Sequence, residues 1–334
     1  MAFHTFYPFK RLPAELRHII WDLAVVSTLD RPPGAQFFTL VNMQTDLASL
    51  SSNDIINGNR NKHYSLAAPQ CSGPRKLSWA KSNQSAYMCE FGLLGACSES
   101  RWRFRRCRSS LDWDTWVSKI KESGAWIDAD RVMSHELDRL PLEASFCYDG
   151  QTQEFTIFPW SDLLCIQPYN FDTIRWEDVK SGNPPIIGMG VRNLALEFDP
   201  AWCDYNIIYQ QPCYDKTGPL RCIATAASFD MRWVEHLWFI DYQIRRRPGT
   251  RAPEASRQTF AGNSCRFVEV EHGDINWELT TGMNIFDFIQ LLDESLDDYF
   301  AAEMTGGCSP PSYPRYFCGQ PSIGVLACEK FDVV

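Results

Sequence analysis

Hydrophobic and polar positions recur with two different periods along this chain, and the changes of period mark its elements. Leu12, Leu16, Ile19, Ile20 and Leu23 return every three or four residues, an apolar stripe on one side of a helix. Pro13 suits the first turn, where its missing N–H would have no partner, and Glu15 meets the positive end of the helix dipole. The spacing predicts a helix that ends near Val26. A second helix is expected over residues 92–109, with Leu93, Cys97, Ser100, Phe104 and Cys107 on one face and Arg101 and Arg108 at its flank. Residues 111–120, with Trp113 and Trp116, read as a short third helix. A last one is expected over 284–304, apolar at Ile285, Phe288, Ile289 and Leu292 and acidic on the far side.

Between these helices the pattern shortens to strands. Residues 37–41 (FFTLV) read as a strand, with 63–67 as its partner. Residues 154–158, a Pro-Trp-Ser-Asp turn and residues 163–166 read as a hairpin. Residues 191–198 alternate with period two, residues 219–234 carry a helical stripe, and Leu237-Trp238-Phe239-Ile240 is a continuous apolar run. Such a run suits a strand covered on both faces, so the three together predict a βαβ unit. Residues 266–270 read as a further strand. The Asn- and Ser-rich stretch 51–62 is expected to be a mobile loop. The expected class is α/β (or α+β): a helical N-terminal module packed on a mixed sheet with a βαβ unit. Residues 1–150 would form the module with its inserted loop and strand region, 151–304 the sheet region, and 305–334 a surface-wrapping tail, all as one composite domain.

Composition changes this picture little. With 334 residues, 45% of them hydrophobic, the chain can fill a core, which excludes global disorder. A net charge of -9 argues against a nucleic-acid binder. No stretch approaches 18 apolar residues, so no membrane-spanning helix is expected. The opening residues lack a basic segment followed by an apolar one, so no secretory leader is expected either. The 13 cysteines are odd in number and contain no Cys-x-x-Cys, which suits free thiols in a reducing compartment, cytoplasmic or nuclear.

Two tripeptides stand out as candidate chemistry: Glu15-Leu16-Arg17 and Glu99-Ser100-Arg101. Each sets an arginine beside an apolar stripe, where an unpaired charge is costly. They are expected to form structural ion pairs between the two helices, Glu15 with Arg101 or Glu99 with Arg17. The run from Arg101 to Arg108 mixes arginine with aromatics, as a nucleic-acid contact would, but the acidic balance of the chain favours a solvated or paired face. The six histidines form no His-x-x-x-His, and Cys308, Cys318 and Cys328 lack a short-loop pair, so no metal site is expected. There is no Gly-x-Ser-x-Gly, no Gly-x-Gly-x-x-Gly and no Walker loop, hence no assigned catalytic or cofactor-binding residue and no cofactor. His272-Gly273-Asp274 reads as a turn in preference to a polar cluster with Cys265 and Asp241.

The opening FYPFKRLPAELRHIIWDLAV, followed by LLGACSESRWRF, resembles the fungal family named for its two E-x-R motifs. FTIFPWSDLLCI, NLALEF and VEHLWFID are similar to its downstream pattern. The motif-bearing likeness covers roughly residues 3–166, with a looser one to about 242. The first helix also resembles the opening of F-box domains, in which an LP-x-E-L segment docks on the adaptor subunit of cullin-type ubiquitin ligases. Leu12, Pro13, Glu15 and Leu16 match that opening, and Ile20 and Leu23 continue it. An F-box closes in fewer residues than separate the two helices here.

The resemblance implies an F-box-like intracellular protein–protein interaction protein, a substrate adaptor of a ubiquitin ligase rather than an enzyme. Leu12, Pro13, Leu16, Ile20 and Trp21 would meet the partner. The alternative is an enzyme of unknown reaction, with Asp199, Trp202, Asp241 and Tyr242 lining a pocket at the carboxyl edge of the strands, the favoured place in α/β sheets. A further alternative is a nucleic-acid contact through the arginine-rich helix.

Overall fold

The structure, a computed structural model, describes residues 9–29, 32–57, 63–71, 75–89, 96–109, 142–180, 191–203, 223, 234–250, 256–279, 284–290, 292 and 321–331. Its helices are α1 (Ala14–Leu29), α2 (Ser98–Ser109) and the short α3 (Trp176–Lys180). Its strands are β1 (Ala35–Asn42), β2 (Tyr64–Ala67), β3 (Leu142–Tyr148), β4 (Gln151–Ile157), β5 (Leu163–Pro168), β6 (Asn193–Glu197), β7 (His236–Asp241), β8 (Arg245–Arg246), β9 (Thr259–Ala261), β10 (Cys265–Val270), β11 (Trp277–Glu278) and β12 (Ser322–Lys330).

Eight of these strands make one mixed sheet in the order β2-β1-β5-β6-β7-β12-β10-β9. From β1 to β12 the neighbours are parallel, while β2 and β10 run against theirs. The sheet curls until its margins meet. Gly34, just before β1, bridges Ala261 of β9, and Ala261 N–H donates to the carbonyl of Pro33 at 2.7 Å.

The curl explains why the strand sequences are apolar in continuous runs. Alternate residues face two separate cores, so both faces are buried. Phe37, Cys165, Ala195, Trp238, Phe260, Phe267 and Leu326 form the inner core. Phe37 and Phe267 lie on strands far apart in the sheet order, yet their rings are 5.4 Å apart, which places this face inside the curl. The interior is filled by side chains, as in small closed barrels. Gly324 makes room for one of them: a Cβ there would stand 2.3 Å from the Trp238 indole.

The outer core holds Phe38, Leu40, Leu164, Ile166, Leu194, Leu237, Phe239 and Val325. Two aromatic groups cover it. Trp79 stacks on Phe146 at 3.9 Å, with Tyr87 and Phe155 beside them. Trp202 packs edge-on to Phe171, Phe198 and Phe239 and lies against Phe288. Phe288 belongs to the helical turn 285–290, which starts where expected because the Asn284 side chain accepts from the N–H groups of Phe286 and Asp287.

Several expectations are corrected. The hairpin expected from residues 154–166 does not form: β4 pairs with β3, whereas β5 enters the large sheet between β1 and β6. The Pro-Trp-Ser-Asp segment is a corner between sheets, fixed by Asp162. That buried carboxylate accepts from Gly34 N–H (2.7 Å), Gln36 Nε2 (2.8 Å) and Phe158 N–H (3.1 Å). The surface-wrapping tail over 305–334 is also corrected in part, since 322–330 form β12, a central strand between β7 and β10. Its apolar run, Ile323 to Cys328 with Val325, Leu326 and Ala327 buried, directly follows a stretch rich in Gly, Pro, Ser and Cys.

The start of the stretch expected to be a mobile loop is ordered. Ser51 and Asp54 form a reciprocal cap, and Ile55 and Ile56 are buried as residues 55–57 link β2 to β3. Of the expected βαβ unit, β6 and β7 are adjacent and parallel. Its helix over 219–234 falls mainly outside the described residues, as do the short helix over 111–120 and most of the last helix.

Candidate functional site

The N-terminal helices pair through their polar motifs. The guanidinium of Arg17 donates to both carboxylate oxygens of Glu99, from Nε at 3.0 Å and Nη2 at 2.8 Å, and from Nη1 to the carbonyl of Leu12 at 2.7 Å. Arg103 adds a second link to Asp22 at 3.2 Å. Hydrogen bonding to Arg17 holds the Glu99 carboxyl below its ordinary range. Of the two pairings expected from the Glu-x-Arg motifs, Glu99 with Arg17 is this clasp. Glu15 and Arg101 are exposed.

Because polar groups make the contact, the apolar stripe of α1 faces away from α2. Leu16 is 47% exposed, Ile19 53%, Ile20 40% and Leu23 67%. On a helical wheel these four span about one third of a turn, with Arg17 and Asp22 at the two flanks and Trp21 on the far side. Of the residues expected to meet a partner, Leu16, Ile20 and Pro13 are open to solvent and Leu12 is half-buried. Trp21 is turned the other way, half-buried with its ring edge against Phe9 at 5.0 Å. Ile19 and Leu23 belong to the exposed set, as the stripe in the sequence already indicates.

The second candidate region is the carboxyl end of the parallel strands. The four residues expected to line a pocket there do not share one side of the sheet. Trp202 is buried in the outer aromatic layer, and Asp199 is exposed, its carboxylate accepting from Ala201 N–H. Asp241 follows the outward Leu237 and Phe239 in the alternation. It is 6% exposed, accepts from Gln243 N–H, and burial raises its pKa. Tyr242 falls on the inner side instead, where it donates to Glu197 at 2.6 Å. Gln167 donates to the other Glu197 oxygen at 2.8 Å, so the carboxylate is held between β5 and β7. Burial, then the charge of Glu197, pushes the Tyr242 hydroxyl well up, which keeps it a donor. Glu197 and Gln167 escape a sequence reading because they sit singly in apolar strands; their inward register is the signal that marks them.

Other polar groups are paired within the fold. Cys265 and Cys328 hydrogen-bond each other inside the curl, raising the Cys265 thiol and lowering that of Cys328. The segment His272-Gly273-Asp274 is a turn with Gly273 at φ +80°, and Asp274 pairs with Arg257 at 2.7 Å. Arg246 lies over Trp277 and pairs with Glu329. An open depression of about 370 Å³ is lined in part by Arg247, Val270, Asp274, Trp277 and Phe286, and by none of the four expected pocket residues. Among the described residues, no group of three or more His, Cys, Asp or Glu is placed to hold a metal ion. No described helix is long and apolar enough to cross a membrane. Comparison with protein-family models, curated proteins and solved structures returned no match.

Proposed function

We propose that this chain acts as an F-box-like protein–protein interaction protein, with α1 as the docking element and the adaptor subunit of a cullin-type ubiquitin ligase as its partner. The observation that supports this reading is the outward apolar stripe of α1, Leu16, Ile19, Ile20 and Leu23, on a helix whose opposite side is clasped to α2. A contiguous exposed apolar stripe on a helix is the form in which helix-in-groove recognition is made. The clasp orders α1 before binding, so less conformational entropy is lost on docking. The Leu-Pro-x-Glu-Leu opening of the same helix, which resembles that of F-box domains, supports this class of partner. Purified adaptor subunit is tested for capture by the wild-type chain and by Leu16→Asp and Ile20→Asp. Capture by the wild type alone is expected; equal capture by all three, or by none, refutes the proposal.

A further inference from the structure

Residues 83–87 run along the seam where β1 and β9 meet, bonded to both margins. Toward β1, Ala86 N–H donates to the Ala35 carbonyl at 2.8 Å, Phe37 N–H donates to Ser85 Oγ at 2.9 Å, and Tyr87 N–H donates to Gln36 Oε1 at 3.2 Å. Toward the β9–β10 turn, Asn263 donates from its N–H to the Gln84 carbonyl at 2.8 Å and from Nδ2 to the Asn83 carbonyl at 3.4 Å. The segment fits tightly: a Cβ at Gly262 would come within 2.9 Å of both the Gln84 carbonyl and the Cys265 sulfur. Cys265 lies beneath, 1% exposed, with its sulfur 3.9 Å from Gln84 Oε1.

The same segment is tied to the helix pair. Residues 90–95 alone separate Cys89 from Ala96, shortly before α2. On the other side, residues 30–34 alone join α1 to β1, and among them is Pro33, whose carbonyl accepts from Ala261. The Arg17–Glu99 and Arg103–Asp22 links then close the circuit.

We infer that residues 83–87 are a latch on the curled sheet, and that the clasp between α1 and α2 resists its release. With the clasp closed, the six residues 90–95 are all the chain that separates this segment from the clasped helix pair, so its excursions from β1 are limited by their length. With the clasp open, the segment keeps its own hydrogen bonds but loses a short tether, and a tether raises the effective concentration of the ends it joins. The coupling is reciprocal: whatever tightens the helix pair also holds the latch. This inference does not depend on which partner α1 binds.

The test is timed alkylation of the full-length chain with N-ethylmaleimide, read by mass spectrometry of the peptides carrying Cys265 and Cys165. Cys165 is fully buried in the inner core and reports global opening. In Arg17→Ala and Glu99→Gln, Cys265 is expected to label several-fold faster with Cys165 unchanged, and the Ala86 and Asn263 amides to exchange faster in deuterium. Ser85→Ala, which leaves the clasp intact, should also speed Cys265 labelling. Equal Cys265 rates in wild type and clasp variants overturn the inference. So does a parallel rise at Cys265 and Cys165, which would mark loss of the whole fold.

Discussion

Gly324→Ala adds one methyl to the inside of the curl, and its cost follows from the local geometry. The new Cβ would stand 2.3 Å from Cζ3 and 2.6 Å from Cε3 of Trp238, against about 3.5–4.0 Å for ordinary carbon contact. Trp238 has little room to retreat. It is 3% exposed, its Nε1 donates to Asn193 Oδ1 at 3.4 Å, and its ring meets Phe260 edge-on at 6.1 Å. Overpacking of this kind costs about 1–3 kcal/mol, and a rigid indole puts the expected cost near 3. At about 2.1 cal/mol/K of unfolding entropy per residue, a cooperatively unfolding chain of 334 residues loses roughly 4 °C of melting temperature for that cost. Thermal and urea unfolding of Gly324→Ala, Trp238→Phe and the double variant provide the assay. Trp238→Phe removes the ring edge that the methyl strikes, so the double variant should be more stable than the sum of the singles predicts. A Gly324→Ala midpoint unchanged from wild type, or strict additivity, would refute the packing argument.

Asp162→Ala strips three donors of a buried acceptor and should lower stability by at least about 2 kcal/mol in urea unfolding. Phe146→Ala opens a cavity under the Trp79 stack, with an expected loss of about 3–5 kcal/mol by the same assay. The Glu99 carboxyl is depressed in the folded chain by its hydrogen bonds to Arg17, so its contribution is complete above the unfolded value of about 4.3 and is lost as pH falls through the folded value. The difference in urea midpoint between wild type and Glu99→Gln should therefore be constant near neutrality and shrink below about pH 4; a difference independent of pH down to acid unfolding contradicts the pairing. Leu16→Asp should leave the free energy of urea unfolding within about 0.5 kcal/mol of wild type, since the residue is 47% exposed.

The first helix, the strand at 37–41 with its partner, and the β6–β7 neighbours were legible because each carries a clear period or an unbroken apolar run. Which strand pairs with which was not. Residues 154–158 and 163–166 look like a hairpin because a tight polar turn joins them, and only the carboxylate of Asp162, bonded to residues about 130 positions earlier, shows that the chain changes sheets there. β12 was hidden by its setting: residues 305–321 are rich in Gly, Pro, Ser and Cys, and the short apolar run Ile323 to Cys328 is easily grouped with them, although Gly324 is required by Trp238. At the candidate site, the two motifs were readable as charge pairing between helices, Arg17 with Glu99 among the options, but the direction of the apolar stripe was not. A periodic stripe shows that one face differs from the other; it does not say whether protein or solvent lies against it.

The place of β12 has a consequence for biosynthesis. β7 and β10 are neighbours on either side of a strand that is translated after both, some eighty residues beyond the end of β7. At about 5–20 residues per second, a ribosome needs roughly 4–16 s to supply those residues. During that interval the inward edge of β7, Trp238 included, has no strand to pair with, and the curl cannot close around Phe37 and Phe267. The nascent chain thus carries an open, apolar sheet edge through about the last quarter of its synthesis, a state that favours engagement by chaperones and penalises slow translation of the final segment.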